Sequence, residues 1–339
     1  MLSPDEVLKQ SQAAMGQWES KWKEQAKING ELYHSKFKNS HKDLLYKEAG
    51  KTFLCVAYAP SFEDNIELLK KHKDNPAIVI GCVDKCLGDM VKHGITPKYV
   101  FLADAGIDYE KWCEPYLEST KDITLVCNIT TNPKWPANWK GDVFFYVNKD
   151  NIESEKIFSE ISNFHETIPA SSNVGNSVLV FATQLLGADE YLLLGYDYCF
   201  GAEDNYYAFN DNDKRYWMSH TIAIDNIGRV VNTSQNLLFS ARWLSDFYTG
   251  YLMKKGIRAF NCSGKGILHF PQCSLKAKLD GAGIRKLTKE NKQQIINARM
   301  KSVVVQTPED LTDAIEKLNV NHAVINHLDQ QTIELLEAI

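Results

Sequence analysis

Ser171–Asp197 reads SSNVGNSVLVFATQLLGADEYLLLGYD, and the order of residue types in it sets the fold class. A Ser/Asn/Gly turn leads into an apolar helical run from Val178 to Leu186. Gly187 stops that run, and a buried strand, Tyr191–Leu194, ends at Gly195 and Asp197. Turn, helix and strand in this order make the unit of a nucleotide-binding α/β fold. Small residues let the backbone come close to a ligand, and the first N–H groups of the helix face whatever phosphate or carboxylate sits there. The strand then carries a carboxylate to the sheet edge, where open α/β folds bind ligands. The same residues also work as ordinary punctuation, with Ser and Asn as helix caps and Gly187 as a C-terminal stop.

Upstream, the pattern repeats. TFLCVAY from Thr52 is an apolar strand, and Ala59, Pro60 and Ser61 turn it into a helix carrying Ile66, Leu68 and Leu69. AIVIGC is the next strand and leads to Asp84 and Lys85, then to a short helix stopped by His93 and Gly94. KYVFLAD ends in Asp104, and ITLVCNI and DVFFYV follow. Apolar strands separated by helical connections predict a mostly parallel, Rossmann-like sheet with helices on both faces. In such a sheet Ser61, Asp84 and Asp104 stand at one edge, although strand-end carboxylates also serve as helix caps.

Downstream, residues 201–236 are polar and rich in Tyr, Asn and Asp without strong periodicity, which predicts a long irregular lid or acceptor-binding loop. Within it Asp211, Asn212 and Asp213 form a D-x-D triplet, a pattern that holds a divalent cation where further oxygen ligands converge. Leu237–Lys255 predicts an amphipathic helix, IRAFN a last strand ending at Asn261, and Lys265 a weak phosphate candidate in a Ser/Gly loop. At the other end, Ser3, Pro4 and Glu6 predict a capped first helix. The charged segment with Trp18, Trp22, Ile28 and Leu32 reads as helices packed on a partner surface. The expected organisation is a helical segment 1–48, a Rossmann-like catalytic domain 49–279, and a small helical accessory segment 280–339. That last segment includes a polar helix Lys286–Met300 and a closing TIELLEAI, whose apolar residues need the body or another subunit as partner, so a homo-oligomer is one expectation.

Composition bounds the function. The chain has 339 residues, 44% hydrophobic and 24% charged, with a net charge of −5, a composition suited to a folded globular protein without general attraction for nucleic acid. No apolar signal region opens the chain and no run of about 18 apolar residues crosses it, so a cytoplasmic protein without a membrane span is expected. Most of the eight cysteines sit in apolar runs, as in LCVAY and LVCNI, and read as small buried hydrophobes. Cys82 and Cys86 lack a second pair at zinc-ligand spacing.

Three stretches, AYAPSFEDNIELLKK, GCVDKCLGDMVKHGITPKYVFLAD and the opening Ser171–Asp197, resemble the family that joins MptE-like 6-hydroxymethylpterin diphosphokinases to the Maf motility-associated glycosyltransferases. The likeness spans about residues 52–267 and lies in the order of the motifs. LLLGYDYCFGAEDNYYAF is also similar, more weakly, to bacterial sialyltransferases that use CMP-activated sialic acid. There a Tyr after this strand binds the leaving phosphate, and Tyr207 matches it best. These resemblances imply a nucleotide held by Ala59, Pro60, Ser61, Asp84, Asp104, Ser172, Asn173, Gly175, Asn176 and Ser177, with Tyr207, His220 and Asp197 as catalytic residues. The chain departs from the pattern at Ala59, where the family has Gly. It also departs at Asn232 and Thr233, where the sialyltransferase base His is missing and His220 is the local substitute.

The resemblance implies first a glycosyltransferase that takes a nucleotide-activated sugar, with a CMP-linked nonulosonic acid favoured, and an acceptor glycan, protein or small molecule, with no metal ligand assigned. It implies second a Mg²⁺-dependent transfer of diphosphate from ATP to a hydroxymethyl pterin, with Asp84, Asp104 and Asp197 holding the metal. A third expectation is a non-catalytic nucleotide-binding module that keeps the fold.

Overall fold

The computed structural model describes residues 4–149, 152–169, 171–201, 205–210 and 220–283, and side chains from Trp18 onward. The chain divides into two units at Ile284 and Arg285. The second unit, the D-x-D triplet and the expected helix 286–300 lie outside the described residues. The helical segment 1–48 falls within the first unit.

Eight strands form one parallel sheet. They are β1 (Thr52–Val56), β2 (Ile78–Val83), β3 (Tyr99–Leu102), β4 (Thr124–Asn128), β5 (Val143–Lys149), β6 (Thr167–Pro169), β7 (Glu190–Leu194) and β10 (Arg258–Asn261). Their order across the sheet is β10-β7-β1-β2-β3-β4-β5-β6, and every pairing is parallel. Helices surround the sheet, which is the Rossmann-like α/β architecture that the apolar runs predict. TLVCN of β4 and EYLLL of β7 are buried at every position, because helices cover both faces and leave no side for polar alternation.

The helices are α1 (Pro4–Leu32), α2 (Pro60–Asp64), α3 (Ile66–His72), α4 (Cys86–Lys92), α5 (Tyr109–Trp112), α6 (Lys134–Asn138), α7 (Ile152–Ser162), α8 (Val174–Phe181), α9 (Gln235–Phe247) and α10 (Leu275–Asp280). The strand order reverses at β1. Its successors in the chain lie on one side as far as β6, and the chain then returns through α8, which packs over β1, β2 and β3, to place β7 on the other side. The carboxyl ends of β1 and β7 therefore diverge into a crevice, the place where open α/β sheets bind ligands. The register levels these ends, with Val56 opposite both Cys82 and Leu194.

The helix α1 packs on α7 and reaches the carboxyl edge of the sheet through side-chain hydrogen bonds. The Gln25 amide donates to the Ala105 carbonyl at 3.1 Å, and the Asn29 amide donates to the Ile129 and Thr131 carbonyls, each at 2.8 Å. Gly30 permits the seat on α7, since a Cβ there would stand 2.4 Å from the Ser162 carbonyl oxygen. Thus α1 ties down the loops just past β3 and β4.

The expected irregular loop 201–236 is corrected in part. Residues 220–234 form an antiparallel hairpin of β8 (His220–Ile224) and β9 (Val230–Ser234), separate from the main sheet. One face of the hairpin packs on the chain leaving β7: Phe200 N–H donates to the Asn232 carbonyl at 2.8 Å and Thr233 Oγ1 donates to the Tyr198 carbonyl at 2.6 Å. Ile222 and Ile224, two apart and so on one face, remain 69% and 67% exposed. The polar composition of the surrounding segment masks this alternation in the sequence.

At the amino ends of the strands the core holds one ionic cluster. Buried Glu48 accepts from Lys98 at 2.5 Å, from the Tyr99 hydroxyl at 2.6 Å and from Lys51 at 2.9 Å. Burial pushes this carboxyl up, but the three donors outweigh it and hold the group below the usual carboxylate range. Because the folded-state value is depressed, the stabilisation is present above the unfolded value and is lost as pH falls through the folded one. Glu48→Gln is therefore expected to cost about 1.5–3 kcal/mol at neutral pH in urea unfolding, with the difference from wild type shrinking below about pH 4.

Candidate functional site

A cavity of about 490 Å³ opens at the carboxyl edge of the sheet, at the β1/β7 crevice. This volume lies within the range of small-molecule sites. Each wall follows from a strand end. β1 contributes Ala57, Tyr58 and Ala59; β2 contributes Asp84 and Lys85; β3 leads to Asp104; β5 contributes Asn148; β7 leads to Gly195, Tyr196 and Tyr198.

The Ser/Asn/Gly turn forms the wall beside β1. Asn173 caps α8 by accepting the Asn176 N–H at 2.9 Å, so the helix starts at Val174, four residues before the apolar run begins. The N–H groups of Val174 and Gly175, at the first two helical positions, have no carbonyl within the helix to bond. Ser171, Ser172, Asn173, Gly175 and Ser177 all line the cavity. Two tyrosines fix this turn: Tyr196 donates to the Gly175 carbonyl at 2.6 Å, and Tyr198 donates to the Asn176 amide oxygen. Burial pushes both phenols up, so both remain protonated donors.

Four of the expected site residues stand behind the wall instead of in it: Pro60, Ser61, Asn176 and Asp197. Asn176 is occupied, donating to Ser172 Oγ at 2.8 Å and to the Ser240 carbonyl at 3.2 Å while accepting from Tyr198, so it ties the turn to α9. Asp197 accepts the Ser61 N–H at 2.9 Å on one oxygen and the Ser61 hydroxyl on the other, and Gly195 N–H donates to the same hydroxyl at 3.1 Å. Asp197 and Ser61 therefore clamp α2 to the end of β7. Gly195 makes the clamp sterically feasible, because it has φ of 78° and a Cβ there would stand 2.0 Å from the Ala57 carbonyl oxygen. Each Asp197 oxygen thus accepts one hydrogen bond from Ser61, which gives this carboxylate a part in holding the crevice. Lys265 is likewise held elsewhere, on Asp64 at 2.5 Å.

The remaining expected residues do meet at the cavity. Ala59 caps α2 and lines the mouth. Asp104 is exposed, with one oxygen accepting the Gly106 N–H at 2.7 Å. Asp84 is 2% exposed; its Oδ1 accepts the Lys85 N–H at 2.7 Å, and its Oδ2 is buried without a hydrogen-bond partner. Burial pushes the Asp84 carboxyl up to about 7, with the nearby Lys85 ammonium and the Lys85 N–H opposing it and Asp104 adding to it. His220 opens β8 opposite Ser234, and its side chain lies outside the described residues.

The sequence reading passed over Lys85, Asn148, Tyr58 and Tyr206 as cavity residues. Lys85 had a signal, a basic residue following a strand-end Asp. Asn148, just after DVFFYV, had the same signal in a weaker form, and its Oδ1 is buried without a partner. Among the described residues no group of three or more His, Cys, Asp or Glu converges as a metal site. Asp84 and Asp104 are the carboxylates among the described residues that line the cavity, a pair suited to Mg²⁺ only with phosphate oxygens as further ligands.

The 6-hydroxymethylpterin diphosphokinase MptE-like family model matches residues 28–203, just over half of the chain and most of the cavity wall. The chain belongs to the MptE-like family. Among solved structures this MptE-like chain is similar to a Maf glycosyltransferase from Magnetospirillum magneticum AMB-1, with a TM-score of 0.58 and 19% identity over 81% of this chain. The alignment takes in 40% of that protein, so the likeness is one of fold over less than half its length. Among curated proteins, none matches the chain. No helix among the described residues is long and apolar enough to cross a membrane.

Proposed function

We propose that this MptE-like protein is a glycosyltransferase that moves a sugar from a nucleotide donor to an acceptor hydroxyl. The observation that carries this reading is the pairing, in one cavity, of an anion-facing helix start at Asn173–Gly175 with the unpartnered buried oxygen of Asp84. The donor phosphate sits against the α8 N-terminus. The bond from the sugar carbon to the phosphate oxygen breaks, and its electron pair leaves with the phosphate. A bond forms from the sugar carbon to the acceptor oxygen, whose proton passes to Asp84. Charge grows on the leaving phosphate, so fixed N–H dipoles there supply transition-state stabilisation. The fold likeness to a Maf glycosyltransferase supports this choice, and the sequence resemblance favours a CMP-linked nonulosonic acid as donor.

Thermal unfolding in the presence of CMP, CDP, UDP, GDP and ATP, each with and without Mg²⁺, tests the reading. Binding at a hundredfold excess over Kd adds about 2.7 kcal/mol to native stability, a rise of several degrees. A rise with CMP that is indifferent to Mg²⁺ is expected. The second reading, Mg²⁺-dependent diphosphate transfer from ATP to a hydroxymethyl pterin, is favoured by the presence of both Asp84 and Asp104 in the cavity wall. In it, Asp84 and Asp104 would hold Mg²⁺, which would neutralise the transferred phosphates. A rise confined to ATP with Mg²⁺ selects that reading and removes the first.

A further inference from the structure

One charged cavity residue has no part in either reading. Among the described residues that line the cavity, Lys85 is the single basic side chain, facing a wall that also carries Asp84 and Asp104. An entering phosphate meets two carboxylates there and needs a cation beside the helix start.

The seat of Lys85 is aromatic. Its ammonium lies 3.7 Å from the Tyr207 ring centroid and 5.1 Å from that of Trp112. Tyr207 in turn belongs to a short segment, 205–210, fastened over α2: Ala208 N–H donates to the Tyr58 carbonyl at 3.2 Å and Phe209 N–H to Glu63 Oε2 at 2.6 Å. The Tyr207 ring packs against Tyr58 at 5.7 Å and Tyr206 at 4.5 Å. A ring face holds an ammonium in position by its quadrupole.

We propose that Lys85 is the phosphate-recognising cation of the cavity and that Tyr207 is a positioning residue that acts through it, by its ring face. The ligand class is a phosphoanion. This inference rests on the transferase reading only for the nucleotide that carries the phosphate, since inorganic pyrophosphate presents the same oxygens. It also changes the part given to Tyr207 by resemblance, from a hydroxyl on the leaving phosphate to a ring under the lysine.

The test is calorimetric titration of the full chain with CMP and, separately, with pyrophosphate, for wild type, Lys85→Met, Lys85→Arg, Tyr207→Phe and Tyr207→Leu, each first shown to melt cooperatively. Lys85→Met is expected to weaken both ligands at least tenfold and to flatten the salt dependence of Kd, whereas Lys85→Arg keeps most of both. Tyr207→Phe stays within about twofold of wild type and Tyr207→Leu falls toward Lys85→Met. A folded Lys85→Met that binds both ligands like wild type overturns the proposal, as does Tyr207→Phe binding no better than Tyr207→Leu, or wild type that binds neither ligand. Wild type that binds pyrophosphate but not CMP removes the CMP-linked donor and leaves Lys85 as the anion site. CMP binding unchanged by Lys85→Met does the reverse.

Discussion

Asp84→Asn is expected to lose transferase turnover by about 10²–10⁴-fold, the usual contribution of a positioned general base, while the protein becomes more stable. The two effects share one cause. Asp84 is 2% exposed, and its Oδ2 has no partner. A carboxylate in that position is desolvated by more than the Lys85 N–H and ammonium offset, which is why burial lifts it to about 7. Such a group is poised to take a proton near neutral pH and is costly to keep. Wild-type turnover should rise with pH through a midpoint near 7, because the base works only when ionised.

The sign of the stability effect follows from linkage. The folded-state value lies above the unfolded one, so the folded protein binds the extra proton and stability falls as pH rises from about 4 to 7. The full shift corresponds to about 4 kcal/mol at and above neutrality. Asparagine removes the charge but puts an amide donor where Oδ2 stands, at a cost of about 1–3 kcal/mol if it stays unpaired. The net expectation is a gain of about 1–3 kcal/mol at pH 8 and little or none at pH 5, read from urea unfolding at the two pH values. Equal stability of the two proteins at pH 8, or turnover that survives the substitution, removes Asp84 from the role of base.

Legibility from the sequence divides by range. Strands buried on both faces are continuous apolar runs, so β1 to β5 and β7 can be read directly. Asp84 and Asp104 follow from them as residues just past two strand ends. β6 is only three residues and ends in Pro169, too short for a periodic signal. α8 begins before its apolar run because its first turn is built from capping and small residues, whose composition is that of a loop. What the sequence cannot carry is pairing between distant segments. Ser61 and Asp197 are 136 residues apart, and nothing local distinguishes a strand-end Asp that clamps a turn from one that faces a ligand. Lys85 and Tyr207 meet only because segment 205–210 is fastened over α2, and nothing local to either residue announces the pairing.

Asp197→Ala is expected to cost about 2–4 kcal/mol and to abolish ligand binding, whereas Asp197→Asn should cost about 1 kcal/mol and retain binding. The alanine variant strands the Ser61 N–H and hydroxyl in a place where Ser61 is 0% exposed, with hydrogen bonds to a charged group worth about 1.5–3 kcal/mol each. Part of that loss is returned, because burial lifts the Asp197 carboxyl to about 6 against the Ser61 hydrogen bonds, so its charge is already expensive at neutral pH. Asparagine keeps an acceptor for the Ser61 N–H and a polar atom beside its hydroxyl, so the α2 turn stays fixed to β7 and the crevice keeps its shape. Its stability should also vary less than that of wild type between pH 4 and pH 7, where the raised carboxyl of the native protein loses its proton. Urea unfolding and nucleotide titration of the two variants decide between clamp and catalyst. If the folded asparagine variant loses turnover as completely as Asp84→Asn, Asp197 acts on the substrate and not on the turn. If it binds and turns over while the alanine variant unfolds early, the carboxylate is architecture, and Asp84, with its buried unpartnered oxygen, keeps the role of base.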